Sequence, residues 1–393
     1  MKLKVALVST HPPGKGTLNE YGFYLLKHFR LNTGIRELVL ITDILPNKES
    51  YHFQQEGCPL DVHAVWSFNS WLNCWNIIKT LRKTKPDIVL FNMQFLSFGD
   101  KKIPAALGLI TPYFAKILGF PSVVLLHNIL EQVDLETAGI TQNPVLSKIY
   151  NFIGTVLSRF VLSADLVAVT IAKYVTVLED KYKVENVALV PHGSFEIPPM
   201  PDFNLPNGSK KIMTFGKFGT YKKVEVMIEA VEIIRKRTST PLQIVIAGTD
   251  SPNKKGYLEE VKQHYAHVND LVFTGYVAEE DVATIFNESA VVVFPYTSTT
   301  GSSGVLHQAG SYGKAVILPS IGDLGELIRE EGYAGELFEP DNAKSLADAI
   351  QKVVENDEYR KELSVKNYFA AVSLPMNDIV DWYYLHFLRI LKK

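Results

Sequence analysis

The chain has 393 residues, of which 47% are hydrophobic and 21% charged, and its formal net charge is −2. This length exceeds one ordinary hydrophobic core, so we expect two domains, and the near-neutral charge gives no reason to expect nucleic acid as a partner. Two cysteines support neither a disulfide framework nor a CxxC metal site. The first residues, MKLKVALVST, lack a signal-peptide pattern and no apolar run reaches about 20 residues, so we expect a cytoplasmic protein.

Apolar strand-like runs alternate with helical patterns along the first half of the chain. The strands are predicted at 4–9, 37–42, 61–65, 87–92, 121–127, 165–170 and 187–191. The helices are predicted at 24–29, 71–83, 102–118 and 145–162, followed by one that ends near residue 182. Such alternation is typical of a parallel, doubly wound sheet.

The alternation stops at 193–211, a segment with four prolines, two glycines and no periodicity. This composition indicates an interdomain linker, which we place at 196–209. We therefore predict an N-terminal domain at 1–195 and a C-terminal domain at 210–375. The final stretch, 376–393, contains a helix that is too apolar for a free tail, so we expect it to pack on the body of the protein.

The same alternation restarts after the linker. Strands are predicted at 212–215, 243–247, 271–274, 291–294, 315–318 and 336–338. Helices are predicted at 222–237, 257–265, 279–287 and 305–312, and from residue 343 onward. Two such domains would form a cleft between the carboxyl ends of two sheets, where ligands of this fold class bind.

A loop rich in Ser, Thr and Gly precedes the helix predicted at 305–312. Backbone N–H groups at a helix N-terminus can receive an anion. Gly301 and Gly304 would let a phosphate approach the backbone, and hydroxyl donors are available on Thr299, Thr300, Ser302 and Ser303. The alternative is an N-capped helix after a solvated loop.

Two lysines flank the first βα loop of the second domain. Lys217 follows a predicted strand, and Lys222 is followed by Lys223 where the next helix is predicted to open. Cations there oppose the helix macrodipole, and a bound anion would relieve the conflict. Lys217 and Lys222 could therefore clamp a diphosphate against the loop at 300–304. A solvated pair of lysines is the alternative.

The first domain offers weaker signals. Its first βα loop contains Gly14, Lys15 and Gly16, which suit a phosphate or a nearby anionic group. His127 ends the strand VVLLH, where it is either a cleft residue or a structural histidine. No DxD, HExxH or GxSxG motif occurs, so neither a metal site nor a nucleophilic serine is expected.

Several motifs together resemble those of GT-B glycosyltransferases, and their order and spacing are similar to the retaining enzymes of family 4. The resemblance covers nearly the whole chain. It depends on VVLLHN, VALVPHG, FGKFGTYKK, QIVIAG, VFTGYV, VVVFPYTST, QAGSYGKAVI, IGDLGELI and GELFEPDNAKSLADAI. The motifs of the second domain are the specific ones.

The resemblance implies two Rossmann-like doubly wound domains that face a central cleft, with the helix in 376–393 crossing back to the first domain. It implies a nucleotide-diphosphate sugar as donor substrate, no cofactor or metal, and transfer with retention. Lys217 and Lys222 match the family's diphosphate-binding cations. Tyr276 matches a position near the nucleotide base, and His127 matches the histidine at the sugar-transfer site.

The family's E-x7-E motif falls on Thr300 and Gln308, so neither glutamate is present. The amide of Gln308 can hydrogen-bond a ribose, whereas Thr300 cannot carry negative charge near a developing oxocarbenium ion. Glu326 matches the glutamate of the family's GGxxE segment, for which we expect a structural role. The catalytic set implied by the resemblance is thus His127, Lys217, Lys222 and Thr300.

The acceptor is expected on the first domain, as a glycan or a lipid-linked sugar. Apolar stretches at 66–71 with Trp75, and at 109–120 near Lys101 and Lys102, suggest peripheral contact with the inner face of a membrane. Packing of the same residues in the core is the alternative.

Two other functions remain open. One is another GT-B enzyme, either a nucleotide-sugar epimerase or an inverting transferase in which His11 or a carboxylate after His127 acts as base. The other is a non-catalytic GT-B protein that binds a nucleotide or a partner, which the missing glutamates keep open.

Overall fold

The structure is a computed structural model, and it describes residues 2–14, 16, 18–45, 50–53, 55–132, 144–251, 254–298 and 303–392. The chain divides into two compact units, which are Met1–Pro191 with Met376–Lys393, and His192–Pro375. Each unit is built on one sheet whose strand pairs are parallel.

The sheet of the first unit has the strand order β3-β2-β1-β4-β5-β6-β7. Its strands are β1 (Leu3–Val8), β2 (Ile35–Asp43), β3 (Leu60–Trp66), β4 (Ile88–Met93), β5 (Ser122–Leu126), β6 (Leu166–Val169) and β7 (Val187–Leu189). Its helices are α1 (Asn19–Leu31), α2 (Asn73–Thr84), α3 (Lys102–Leu109), α4 (Thr111–Ile117), α5 (Pro144–Val161) and α6 (Ala172–Tyr182). The central strands are buried along their whole length, as expected of parallel strands covered on both faces.

The sheet of the second unit has the order β10-β9-β8-β11-β12-β13. Its strands are β8 (Lys210–Phe218), β9 (Leu242–Asp250), β10 (Leu271–Gly275), β11 (Ser289–Val293), β12 (Ala315–Pro319) and β13 (Gly335–Phe338). Its helices are α7 (Glu225–Arg235), α8 (Tyr257–His264), α9 (Glu279–Glu288), α10 (Gly304–Ser311), α11 (Leu324–Glu331), α12 (Ala343–Val354) and α13 (Asp357–Val372). An apolar cluster between this sheet and α7 and α12 forms the core of the unit.

The final helix, α14 (Met376–Leu391), packs against α1 and completes the first unit. Phe387 is fully buried and stacks on Phe29, with ring centres 5.9 Å apart. The predicted fold class, two Rossmann-like α/β domains with a returning C-terminal helix, is confirmed.

Two predicted elements differ from the structure. The helix predicted at 102–118 is divided into α3 and α4 at Ile110, because Pro112 has no N–H to donate to the carbonyl of Gly108. Residues 196–209, predicted as a linker, belong to the second unit. There Tyr368 donates a hydrogen bond to Pro198 O at 3.0 Å, and Arg360 donates one to Phe203 O at 2.8 Å.

Candidate functional site

The second sheet reverses its strand order between β8 and β11. The loops that follow these two strands diverge at that point, and open α/β sheets bind ligands just outside the carboxyl ends of such strands. The loop after β8 carries Lys222, and the loop after β11 leads into α10. The two loops predicted to hold an anion therefore lie at the same edge of the second sheet.

Lys222 lies against two aromatic rings. Its backbone forms an isolated antiparallel bridge with Tyr296, and its Nζ lies 4.7 Å from the ring centre of Tyr296 and 5.8 Å from that of Tyr221. Burial lowers the pKa of the Lys222 ammonium, whereas Tyr221 raises it. No carboxylate in the described ranges pairs with this ammonium, so the aromatic faces stabilise the cation while leaving its charge uncompensated.

The structure corrects the predicted start of the helix that follows. α7 begins at Glu225, so Lys222 and Lys223 precede its first turn, and Lys223 N–H donates to Pro295 O at 3.0 Å. The predicted conflict between these lysines and the helix macrodipole is therefore wrong. An acidic residue, Glu225, occupies the first turn, where it complements the dipole.

One glycine, Gly216, lets the Lys222 ammonium lie close to the backbone. Lys217 is exposed and lies inside β8, which extends further than predicted because it pairs with β9 up to Phe218. The residue before it, Gly216, has a φ of 137°, and a Cβ built there would lie 3.0 Å from Lys222 Nζ. The Lys222 ammonium is thus placed beside the backbone next to Lys217.

The loop after β11 is tied to the lysine-bearing loop. Thr297 N–H donates to Tyr221 O at 2.8 Å. α10 begins at Gly304, and Ser303 is its N-cap residue. The Ser303 hydroxyl hydrogen-bonds Tyr296, which is buried. Of the predicted donor loop, Ser303 and Gly304 therefore lie at the α10 N-terminus.

For the other described residues of this unit that the sequence singled out, the structure gives an element and an exposure but no contact with Lys222. Gln308 is half-buried in the second turn of α10. Tyr276 follows β10 and is 81% exposed, and Glu326 lies in the first turn of α11. Several predicted site residues, in this unit and in the first, lie outside the described residues: Lys15, Thr300, Gly301 and Ser302.

Sequence reasoning missed a buried histidine pair beside the first turn of α10. The rings of His192 and His307 stack with centres 4.7 Å apart and planes 7° apart. A Cβ built on Gly304 would lie 3.8 Å from the His192 ring. His192 Nδ1–H donates to Gly193 O at 3.0 Å. Burial lowers the pKa of His192 to about 4 and that of His307 well below its usual value.

Two further groups complete this cluster. His307 Nδ1 lies 2.9 Å from the Tyr333 hydroxyl, and His307 Nε2 lies 3.5 Å from a carboxylate oxygen of Glu331. Burial, with Glu330 nearby, raises the pKa of Glu331 to about 8. His192 belongs to the VALVPHG motif, whereas His307 lies far along the chain from it, so no spacing signal could have joined the two histidines.

The predicted glycine loop of the first unit follows β1. A Cβ on Gly14 would lie 2.7 Å from Asp43 Oδ2, and a Cβ on Gly16 would lie 2.4 Å from Thr10 Cγ2. Close packing within the first unit therefore requires both glycines. The same loop contains His11, which is buried and donates from Nδ1 to Pro12 O at 2.7 Å.

His127 directly follows β5 and is buried. His127 Nε2 lies 2.7 Å from Asn92 Oδ1, and Asn92 Nδ2 donates to Ser9 Oγ at 2.9 Å. Because the amide oxygen can only accept, His127 Nε2 carries the hydrogen in this arrangement. Tyr21 meets the imidazole edge-on, with ring centres 4.6 Å apart. Hydrogen bonding and packing thus fix the orientation of this ring.

The described residues contain neither a cluster of metal ligands nor a membrane-spanning helix. No three His, Cys, Asp or Glu side chains converge there as metal ligands. None of the helices in the described part of the chain has the length and hydropathy needed to cross a bilayer.

Residues 209–356 match the family model described as Glycosyl transferases group 1. The match lies within the second unit and contains both lysines and the loop that leads into α10. The similarity to glycosyltransferases is therefore located in the second unit.

A curated relative extends the match beyond this domain. O-antigen chain mannosyltransferase C of Escherichia coli is 23% identical over 252 residues, which are 61% of this chain and 64% of that protein. The chain thus spans less than two thirds of the length of this relative.

Solved structures resemble the chain over its whole length. Sucrose-phosphate synthase from Thermosynechococcus elongatus superimposes with a TM-score of 0.75 at 17% identity, covering 100% of both chains. HepE of Anabaena, solved in complex with UDP, superimposes with a TM-score of 0.65 at 15% identity, covering 99% of this chain and 100% of that one. These likenesses show the fold, which is that of GT-B glycosyltransferases.

Proposed function

We propose that the protein transfers a sugar from a nucleotide-diphosphate sugar to a glycan or lipid-linked acceptor, and that its second unit binds the donor. The observation that carries this proposal is the state of Lys222. Its ammonium lies at the switch point of the second sheet, held by aromatic rings and paired with no carboxylate among the described residues. A half-buried cation without a counter-ion loses part of its hydration, and an anionic ligand would offset that loss.

The diphosphate is the anion that best fits this environment. Lys222 would contact it as a point charge, and the exposed Lys217 would approach it from β8. The N-terminus of α10 lies on the other loop of the switch point and would add backbone N–H donors. Gln308 in the second turn of this helix would hydrogen-bond the ribose, and Tyr276 would lie near the base.

These groups would act on the leaving group of the transfer. When the bond between the anomeric carbon and the diphosphate oxygen breaks, the bonding electrons remain on the diphosphate. Lys217 and Lys222 would stabilise that developing charge from fixed positions, which lowers the barrier. Retention of configuration, independence of a metal ion, and the role of His127 at the sugar-transfer site belong to this proposal through the sequence resemblance.

The named relatives support the class of donor and acceptor. The Escherichia coli relative is an O-antigen chain mannosyltransferase, and the HepE structure contains UDP. A polysaccharide or a lipid-linked glycan is accordingly the acceptor that we propose, with peripheral contact between the first unit and a membrane.

A second candidate is a non-catalytic protein that binds a nucleotide through the same lysines. The observation that favours it is the presence of Thr300 and Gln308 where the resemblance expects two glutamates. Donor turnover separates the candidates, because the second predicts nucleotide binding without hydrolysis or transfer.

The test is the affinity of the full chain for nucleoside diphosphates, measured by titration calorimetry with UDP, GDP and ADP. Lys222→Ala removes one charge-assisted hydrogen bond of about 2–3 kcal/mol, so we expect affinity for the best ligand to fall on the order of 100-fold. Lys223→Ala is the matched control. Its side chain is exposed, and its backbone bond to Pro295 is retained. Equal affinities for wild type and Lys222→Ala would overturn the proposed donor site.

A further inference from the structure

Four consecutive helices of the first unit, α2 to α5, form one layer. α2 packs against α3 and α4, and both of these pack against α5. α3 and α5 are also joined by Lys102, whose Nζ lies 4.6 Å from the ring centre of Tyr150. The outer face of this helix layer is therefore a continuous surface.

Exposed large apolar side chains are concentrated in the segment that contains this helix layer. Of the 23 exposed large hydrophobic residues in the described part of the chain, 12 lie between residues 68 and 153. Trp71 and Leu72, just before α2, are each 62% exposed, and Trp75 in its first turn is 63% exposed. Phe152 on α5 is 70% exposed, and Ile149 lies one turn before it on the same face. An apolar surface of this kind on a folded unit indicates a partner.

Part of the apolar surface predicted at 66–71 and 109–120 is buried in the structure. Trp66 ends β3 and is only 3% exposed, because it packs against Phe98 with ring centres 5.0 Å apart. Leu109 is also buried. Trp66 and Leu109 therefore pack in the core. The exposed apolar surface extends instead onto α5, which the predicted surface does not include.

The charge of the helix layer identifies the class of partner. The four helices contain seven Lys and Arg residues and no Asp or Glu. On α2 the exposed Trp75 of the first turn shares a helix face with Lys79, Arg82 and Lys83. Of the seven basic residues, Lys116 forms an ion pair with Asp165 at 3.0 Å.

We infer that the outer face of α2 to α5 binds the surface of a bilayer that contains anionic lipid. Tryptophan, leucine and isoleucine side chains enter the boundary between headgroups and acyl chains, and lysines and arginines contact the lipid phosphates. A second protein with the same apolar area would need a matching acidic surface. A lipid surface supplies both properties at once. The inference deepens the membrane contact named in the proposed function, but its test is separate from that of the donor site, because vesicle binding requires neither donor nor acceptor.

The experiment is flotation of the full chain with vesicles of phosphatidylcholine alone and with 30% phosphatidylglycerol added. We expect binding to the anionic vesicles that weakens as salt is raised, because surface charge interactions are screened. The fluorescence of Trp71 and Trp75 is expected to shift to shorter wavelength on binding.

Two variants test the surface, and one serves as control. Trp71→Ser with Trp75→Ser should reduce binding at least tenfold. Lys79→Glu with Arg82→Glu should abolish the preference for anionic vesicles. The control is Leu385→Ser on α14, which removes an equally exposed apolar side chain outside the helix layer and should bind as wild type does.

Three results would overturn the inference. They are absence of flotation with both vesicles, equal loss of binding in the Leu385→Ser control, and a concentration-dependent dimer in sedimentation that the Trp71→Ser, Trp75→Ser variant abolishes. The dimer would assign the surface to a second copy of the chain. Calorimetry with the nucleoside diphosphate on the same variants should give the wild-type affinity, which separates this inference from the donor site and shows that the variants are folded.

Discussion

In each of the two sheets, a loop whose sequence contains glycine and lysine follows the carboxyl end of a central strand. The two switch points differ in whether their polar groups find partners within the protein. At the switch point of the first sheet, the Asn92 amide hydrogen-bonds both Ser9 and His127. At the switch point of the second sheet, Lys222 keeps a positive charge that no carboxylate balances within the described residues.

This difference shows which sequence features point to a ligand. Gly14 and Gly16 resemble a phosphate loop, yet Asp43 and Thr10 occupy the space that a side chain would need. Packing therefore accounts for these glycines without a ligand. Lys222 has no comparable structural explanation, because placing an ammonium between two tyrosines costs desolvation free energy that an apolar side chain would not incur.

The largest expected effect comes from Gly248→Ala, which perturbs the second switch point alone. Gly248 has a φ of 137°, and a Cβ there would lie 1.9 Å from Gly216 O. Backbone atoms cannot yield as a side chain can, so we expect a loss of about 3 kcal/mol or more in the free energy of unfolding of the second unit. Denaturant titration, followed separately for each unit by hydrogen exchange, measures it.

Gly256→Ala is the matched control for this prediction. Gly256 also has a positive φ, of 84°, but a Cβ there would meet nothing within 4 Å. Backbone strain alone should cost about 1 kcal/mol. If both variants lost the same free energy of unfolding, the close contact between β8 and β9 would not be needed to hold the loop that carries Lys222.

A second prediction concerns acid stability and His192. Its pKa is lowered to about 4 in the folded state, from 6.5. Between these values the unfolded chain binds a proton that the folded chain does not, so stability falls as pH drops from 6.5 towards 4, by up to about 3 kcal/mol. His192→Phe retains a ring against His307 and should flatten this dependence in denaturant titrations between pH 7 and 4.5.

Other titrating groups near His192 also affect the pH dependence of stability, so the prediction needs a control. His307 also has a lowered pKa, so it adds to the stability that the protein loses as the pH falls. Glu331 has the opposite effect: because its pKa is raised to about 8, its contribution to stability is lost as the pH rises above 4.5. His264→Gln, on the exposed face of α8, should leave the pH profile as in wild type. An unchanged profile in His192→Phe would contradict the assignment of acid sensitivity to the pair.

The smallest effect is expected at the first switch point. Asn92→Leu leaves the His127 Nε2–H and the Ser9 hydroxyl without the amide that joins them, so the free energy of unfolding should fall by about 1–3 kcal/mol. Affinity for a nucleoside diphosphate should not change, because Asn92 belongs to the first unit. A combined denaturation and calorimetry experiment checks both statements, and reduced affinity would show that the first switch point also determines donor binding.

The fold was largely predictable because parallel strands leave a strong local signal. Runs such as Val89–Phe91 or Val291–Val293 are apolar at every position, and this is typical only of strands covered on both faces. The ends of elements were less accessible. α7 begins at Glu225 rather than Lys222 because the backbone of Lys222 pairs with Tyr296, a contact that no local pattern contains.

The site was predictable only in part, for the same reason. Lys217, Lys222 and the loop before α10 were found from local order, since βα loops of one sheet converge by topology. The stacking of His192 on His307 depends on two segments that no motif connects. Likewise, Trp66 and Trp71 are five residues apart, yet one ends a strand and is buried while the other precedes α2 and is exposed.

The return of α14 to the first unit has a consequence for synthesis on the ribosome. Phe387 and Tyr383 belong to the buried layer against α1, yet they are translated after the whole of His192–Pro375. The second unit can therefore complete its core while the first still exposes the apolar side chains of α1. The nascent chain therefore needs α14, which is made after the second unit, to close the first unit.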